Sequence, residues 1–423
     1  MTHETDVVVI GAGAAGLAAG ERLRARGIAF EILEAADSPG GRAATDHHTL
    51  GVPFDLGCHW LHDARHNPFT VLAAAHGVRV GDGNWLPRRM LYLGSRLASA
   101  VEKDAADQTV DAIFDAVYAA GGEGRDISAA AAIAQAGDQG PYSVLARHWL
   151  ELMSAAGPAE ISAVDFAYYH DTEDNWPVLD GYGALVLAVA GDLPVTLGCP
   201  VHRIDRSGRR LRIETARGAL TCRAAVVAVP TAVIAAGRLA FAPDLPPDLA
   251  EAFAALPLGY AEKVALLFDG DVFGVSERSG LDFVDPADPA RPGASALLRP
   301  GGAPAALVHV AGPEARAMAQ EGEGALVDFA LDVLAGAFGG HLKSRLLRTQ
   351  VTDWAGMPYI GGAYSCALPG KAHLRARLHE PFDPRIAFAG EALGREAYST
   401  CHGARISGLA AADAVIAELE KAA

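Results

Sequence analysis

An apolar β-branched run, Asp6-Val7-Val8-Val9-Ile10, feeds directly into Gly11-Ala12-Gly13-Ala14-Ala15-Gly16. A helix-like segment follows, with Ala15, Ala19 and Leu23 on one face and Gly27 at its end. A second apolar run, Ile28 to Leu33, then ends on Glu34. Strand, glycine turn, helix, strand and acid in this order constitute a βαβ dinucleotide-binding unit. Gly11 permits the tight turn, Gly13 lets the backbone approach a pyrophosphate, and Gly16 lets helix and strand pack closely. The helix start offers unpaired N–H groups to phosphates. Glu34 stands where ribose hydroxyls need an acceptor. Ala14, Ala15 and Ala35 fall inside the same cradle.

The 423 residues allow two substantial domains, and 51% hydrophobic against 20% charged residues implies a large globular core. A formal charge of −16 disfavours nucleic acid and anionic membrane as partners. No uncharged apolar run is long enough to span a bilayer, so a cytoplasmic location is expected. The five cysteines are widely spaced, odd in number and form no C-x-x-C, so neither a disulfide framework nor a metal site is expected.

Residues 85–190 are rich in helix formers, with breaks at 121–124 and 137–141. Strand patterns return at Leu193–Leu197, Val201–Ile204, Leu211–Glu214, Ala225–Pro230 and Lys263–Phe268. Residues 286–304 read as a Pro/Gly-rich loop, Arg385–Glu391 as a buried strand, and a helix starts near His402. The expected fold is mixed α/β. A discontinuous Rossmann-like three-layer domain takes residues 1–80, 192–240 and 375–423, and a substrate domain of mixed sheet and helices takes 81–191 and 241–374.

Six segments in order resemble the flavin-containing amine oxidase family, which includes monoamine and polyamine oxidases and histone demethylases. They are the opening unit with Gly40-Gly41-Arg42; Asp55-Leu56-Gly57-Cys58-His59-Trp60-Leu61-His62 with Asn67-Pro68; Gly181-Tyr182-Gly183; Leu258-Gly259-Tyr260-Ala261-Glu262-Lys263-Val264; Trp354 with Gly361-Gly362-Ala363-Tyr364-Ser365; and Gly390-Glu391 with His402-Gly403-Ala404. The His-Trp-Leu-His stretch is more similar to polyamine oxidases than to monoamine oxidases.

The resemblance implies FAD, held by the opening unit, Gly41 and Arg42, the segment Gly57, Cys58, His59 and Trp60, Val201, Gly390, Glu391, Thr400 and Cys401. Arg42 reads alternatively as a surface ion pair. The helix start near Thr400–Gly403 would face the flavin pyrimidine ring and stabilise negative charge there. Lys263 matches the family lysine near flavin N5, whereas periodicity alone makes it a solvent-facing strand residue. Tyr364 matches one wall of an aromatic cage, and Thr400 takes the place of the other. Ala363 stands where monoamine oxidases attach flavin covalently, so the FAD is expected to be non-covalent. Cys366 and Cys401 read as packing residues. Trp354 reads as a neighbour of the flavin or as a core tryptophan. His62 reads as a substrate-facing proton relay or as a loop histidine.

The implied reaction is hydride transfer from the amine-bearing carbon to flavin N5, imine hydrolysis, and reoxidation by O2 to hydrogen peroxide. The implied substrate is a polyamine or other alkyl amine, and the protein a monomer or homodimer. The acidic run Asp171-Thr172-Glu173-Asp174 could hold distal ammonium groups or be a solvated loop. Two other readings remain open at this level: a flavin desaturase of an apolar substrate, and a flavin-fold binding protein without turnover.

Overall fold

The computed structural model describes residues 3–82, 88–137, 139–170 and 172–421. Two β-sheets face a common cavity. The first, eight-stranded among the described residues, runs in the order Ala240–Ala242, Val201–Asp205, Leu211–Thr215, Gly218–Val227, His3–Ile10, Phe30–Leu33, Val195–Thr196, with Ile386–Phe388 also paired to Gly218–Val227. The opening strand lies parallel to both neighbours, with Val9 opposite Ile32 on one side and Val226 on the other. All of Val7, Val8 and Val9 are fully buried, as expected for a strand covered on both faces. Ile10, Leu33 and Val227, at the carboxyl ends of the three central strands, border the cavity.

The helix Ala14–Ala25 ends before Gly27, whose φ of +67° reverses the chain. It packs against the helix Cys401–Lys421. A Cβ at Gly408 would lie 2.0 Å from the Ala15 carbonyl oxygen, so the two helices touch backbone to backbone. Both begin at the cavity.

The second sheet, seven-stranded among the described residues, runs Leu346–Val351, Ala261–Phe268, Ala305–Ala311, Ala294–Leu298, Ser279–Val284, Arg88–Leu93, Arg96–Leu97. Three expectations differ from the structure. The stretch 286–304 is not all loop, because Ala294–Leu298 is an interior strand of this sheet. It is buried on both faces, so it lacks polar alternation, and Pro292-Gly293 and Pro300–Gly302 flank it with loop chemistry. Within 85–190, the strands Arg88–Leu93 and Arg96–Leu97 pair with each other ahead of the helices. Residues 241–256, where sequence expects the second unit to begin, pack on the first sheet: Leu249, Ala252, Phe253 and Leu256 share a core with Val8, Ile10 and Val227.

The helix Ala100–Gly122 opens with a capping box, Ser99 and Glu102 each bonding the other's backbone N–H. It crosses Ser143–Ser154 and Ala163–Tyr168 over a core of Ile113, Val117, Leu150 and Phe166. These helices roof the cavity between the sheets.

Candidate active site

The cavity has a volume of about 2100 Å³ and runs from the opening glycine turn to the second sheet. At the glycine end, Gly11 has φ +99°, and a Cβ there would sit 2.8 Å from the Ala228 carbonyl oxygen. A Cβ on Gly13 would meet nothing closer than 3.9 Å, so it would project into the open cradle. The helix that follows has no side-chain cap and no acid in its first turn, which leaves its N–H groups to an anion. Glu34 is buried beside it, accepting from Ala12 N at 2.6 Å and Ala36 N at 2.8 Å. These features fit a dinucleotide with its pyrophosphate at the helix start.

Of the residues singled out by sequence for the cofactor, Gly11, Gly13, Ala14, Ala15, Glu34, Ala35, Gly41, Arg42, Gly57, Cys58, His59, Trp60, Val201, Gly390, Glu391, Thr400 and Cys401 all border this one cavity. Gly16 does not. It lies behind the turn, where a Cβ would be 1.9 Å from the Gly11 carbonyl oxygen. Its role is close packing rather than contact. Arg42 is no surface pair: it is half-buried, donating to Glu391 Oε1 at 3.2 Å and to the Ala363 carbonyl. Glu391 also accepts from Ser365 Oγ at 2.7 Å and Ser399 N at 3.0 Å. Cys401 borders the cavity beside Cys58. Their mutual hydrogen bond, reinforced by burial, raises the Cys58 thiol well above its ordinary value. Cys366 is buried in the helical core.

The reacting end gathers Lys263, Trp354, Tyr364, His62 and Thr400 on the cavity wall. Lys263 is not solvent-facing. Its Nζ donates to the carbonyls of Asp55 at 2.7 Å and Gly57 at 2.6 Å, and burial pushes its ammonium below the ordinary lysine range. Two of its three N–H donors are thereby used. Trp354 is fixed through its backbone N–H, which donates to Glu262 Oε1 at 2.8 Å. Burial pushes Glu262 up to about 7, against the donors from Thr352, Ala355 and Trp354. The Tyr364 hydroxyl donates to the Leu152 carbonyl, and burial pushes its phenol up. His62 Nδ1 meets Asn175 Oδ1 at 2.7 Å. Thr400 uses its hydroxyl locally: Oγ1 donates to Ala397 O at 2.6 Å and accepts from Gly403 N at 2.9 Å. It caps the last helix and brings that helix's positive end to the cavity.

Sequence reasoning missed much of the rest of the wall. Tyr398 and Trp149 border the cavity, where Tyr398 supplies an aromatic face next to Thr400. Arg375 lies 3.9 Å above the Tyr398 ring centroid, and the Tyr398 hydroxyl donates to the Asp165 carbonyl at 2.8 Å. On the second sheet, Ser295 Oγ donates to Asp282 Oδ1 at 2.6 Å and lies 2.9 Å from His148 Nε2. Because Ser295 gives its own hydrogen to Asp282, His148 Nε2 is the donor to Ser295, and burial pushes this imidazole down to about 4. Asp107, Asp111 and Asp115, one helical turn apart on Ala100–Gly122, border the same space, with Asp107 held by Lys103 Nζ at 2.6 Å. A signal for this row existed, since the three acids recur at a four-residue spacing beside Phe114 and Tyr118. In the acidic run, Glu173 borders the cavity, while Asp171 lies outside the described residues. No group of His, Cys, Asp and Glu among the described residues could hold a metal ion. None of the described helices is long and apolar enough to cross a membrane.

Comparison with known proteins follows the same lines. The chain is 29% identical to polyamine oxidase 4 of Oryza sativa subsp. japonica, with 96% of this chain and 88% of that protein covered. It is 27% identical to lysine-specific histone demethylase 2 of Homo sapiens, with 98% of this chain and 54% of that protein covered. Among solved structures it superposes on cyclohexylamine oxidase from Brevibacterium oxydans with a TM-score of 0.80 at 21% identity, covering 98% of this chain and 99% of that one. A wild-type putrescine oxidase bound to putrescine gives a TM-score of 0.80 at 20% identity, covering 99% and 100%. The family model described as flavin containing amine oxidoreductase matches residues 14–416. With nearly the whole chain inside that match, this protein belongs to the flavin-containing amine oxidoreductases.

Proposed function

We propose that this enzyme oxidises polyamines or related alkyl amines, with non-covalent FAD and with O2 as the final acceptor, releasing hydrogen peroxide. The observation that carries the reading is Lys263, a half-buried lysine on the cavity wall whose Nζ is held by two main-chain carbonyls. Bound FAD supplies the two-electron acceptor for the C–H bond beside the amine.

The residues present support the other parts. Ala363 offers no nucleophile for a covalent link to the cofactor. Trp354, Tyr364 and Tyr398 put aromatic rings on the wall of the same cavity, which suits an amine held against a ring face. Thr400 keeps a helix N-terminus at the cavity, which stabilises negative charge gathering there. The row continued by Asp111 and Asp115, beyond the Lys103–Asp107 pair, suits a substrate with ammonium groups distant from the reacting one. Its rise of about 6 Å per four residues is close to the spacing of nitrogens in a short diamine unit. An apolar desaturase substrate has no use for such a row. The similarity to polyamine oxidase 4 supports the same substrate class. All five cysteines are unpaired, which supports a reducing, cytoplasmic setting.

The test is the visible spectrum of purified protein, before and after anaerobic addition of spermine, spermidine, putrescine and a phenethylamine. Bleaching of an oxidised-flavin spectrum by a polyamine, followed by peroxide formation on admitting air, is the expected result. Bleaching by none of them overturns the substrate reading.

A further inference from the structure

Four neighbouring strands of the second sheet each place one polar residue in a single cross-strand row. Lys263 on Ala261–Phe268 stands opposite His309 on Ala305–Ala311, His309 opposite Ser295 on Ala294–Leu298, and Ser295 opposite Asp282 on Ser279–Val284. Directly opposed residues of antiparallel strands share a face. All four border the cavity. The row covers three strand spacings, about 14 Å, starting from the reacting end.

Three members of the row already have partners. Lys263 Nζ gives two of its hydrogens to the carbonyls of Asp55 and Gly57. Ser295 donates to Asp282 and stands 2.9 Å from His148 Nε2. Asp282 also accepts from Arg89 Nε. His309 is the exception. It is half-buried, neither ring nitrogen has a hydrogen-bond partner among the described residues, and both remain open to the cavity. Burial, then Lys263, His59 and His148, push His309 well below the ordinary histidine range, so it stays neutral. A neutral imidazole offers one acceptor and one donor. The carboxylate of the row, Asp282, lies beyond Ser295 and is paired with Arg89.

Next to Lys263, a substrate nitrogen avoids a second positive charge only as the neutral amine. When hydride leaves the neighbouring carbon, the nitrogen lone pair moves into the new C=N bond. That lone pair has to stay unshared, so the amine is held through its N–H bonds, and the holding group must be an acceptor. We propose that His309 accepts a hydrogen bond from the substrate amine's N–H and so positions the carbon that loses hydride. No bond is made or broken at the imidazole. As positive charge develops on nitrogen the N–H becomes a stronger donor, so the contact lowers the barrier more than it tightens binding. The inference rests on the amine-oxidising function proposed above.

The test compares a primary alkyl amine with its N,N-dimethyl counterpart, which has no N–H bond when neutral. Holoenzyme is mixed anaerobically with each at one alkaline pH, and flavin bleaching is timed at saturating amine. With the primary amine, His309→Leu is expected to bleach about three- to tenfold more slowly than wild type, and His309→Gln, whose amide oxygen can accept, to lie closer to wild type. With the dimethyl amine, all three are expected to bleach at similar rates. Binding of tert-butylamine, which has no hydrogen on the carbon beside nitrogen and cannot be oxidised, is read by the flavin difference spectrum. It is expected to weaken less in His309→Leu than bleaching slows. A dimethyl amine that bleaches the wild type as fast as the primary amine overturns the proposal without any variant. Equal losses with both amines in His309→Leu, no loss with either, or a His309→Gln no faster than His309→Leu also overturn it. Failure of every amine to bleach the wild-type flavin is a separate result, which removes the amine-oxidising function itself.

Discussion

Arg375 and Asp165 lie 210 positions apart and meet through two parallel hydrogen bonds, Nε to Oδ1 and Nη2 to Oδ2, each 2.7 Å long. Both side chains are buried. The guanidinium also reaches Ser365 Oγ at 3.2 Å and the Ala392 carbonyl at 2.9 Å, and Ser365 in turn donates to Glu391. A chain of polar contacts thus runs from the helical roof to Arg42 at the cofactor cradle, with the Tyr398 ring lying on it. Arg375→Met leaves Asp165 charged, buried and without its partner. We expect a loss of about 3–5 kcal/mol in urea unfolding at saturating FAD. A loss below about 1 kcal/mol would show that the pair merely fills space.

Glu34 uses both carboxylate oxygens to hold the backbone on either side of the cofactor cradle, at Ala12 and Ala36. Glu34→Ala is expected to weaken FAD binding about tenfold to a hundredfold, the equivalent of one charge-assisted hydrogen bond of about 1.5–3 kcal/mol. Titration of FAD into deflavinated protein, read by quenching of flavin fluorescence, measures it. Unchanged affinity would mean that the glycine turn holds its shape unaided.

Asp111 and Asp115 are exposed at the cavity rim, so their attraction for a distal ammonium is screened by water. Exposed pairs contribute about 0.2–1 kcal/mol each, which sets the effect of Asp111→Asn or Asp115→Asn at about 1.4- to 5-fold in KM. The increase is expected for a triamine or tetramine, to shrink with added salt, and to be absent for a monoamine. An equal change with all amines would place these carboxylates outside substrate recognition.

Glu151 gives a pH prediction. Its carboxyl is buried beneath the second sheet, and burial pushes it up to about 8 from an ordinary 4.5, with Glu314 adding to the rise and Arg147 opposing it. Above the ordinary value the unfolded chain has lost this proton while the folded chain keeps it. Stability contributed by this site therefore falls as pH rises from about 4.5 to about 8. Glu151→Gln should remove that slope. The variant is expected to gain about 1–3 kcal/mol over wild type at mildly alkaline pH and little at mildly acid pH, by urea unfolding. A parallel pair of stability curves would refute the assignment.

The cofactor half of the site was legible because its chemistry is local. Gly11, Gly13 and Glu34 answer to one turn and one strand end, whereas Lys263 is placed by the resemblance of Leu258–Val264 and not by periodicity, which makes it solvent-facing. The remaining wall is assembled across distance. Tyr398 gains its place from Arg375 and Asp165, and the Asp282–Ser295–His148 contacts join two strands to a helix. No spacing along the chain encodes such meetings. The strand Ala294–Leu298 hid for a different reason: burial on both faces erased the alternation that marks a strand, and its flanks carry proline and glycine. His59 was assigned to the cofactor through its neighbours, whereas its pairing with Asp55, four residues earlier in an irregular segment, needs the fold to be seen.

The helices Ala14–Ala25 and Cys401–Lys421 touch through Ala15 and Gly408 and both open onto the cavity. During synthesis the first of these helices leaves the ribosome well before the second. The glycine turn is made nearly 400 residues ahead of the helix that completes its pocket. The cradle is therefore closed only once residues 401–421 have been made, and a truncation before residue 401 keeps the nucleotide motif while removing the helix that closes its pocket.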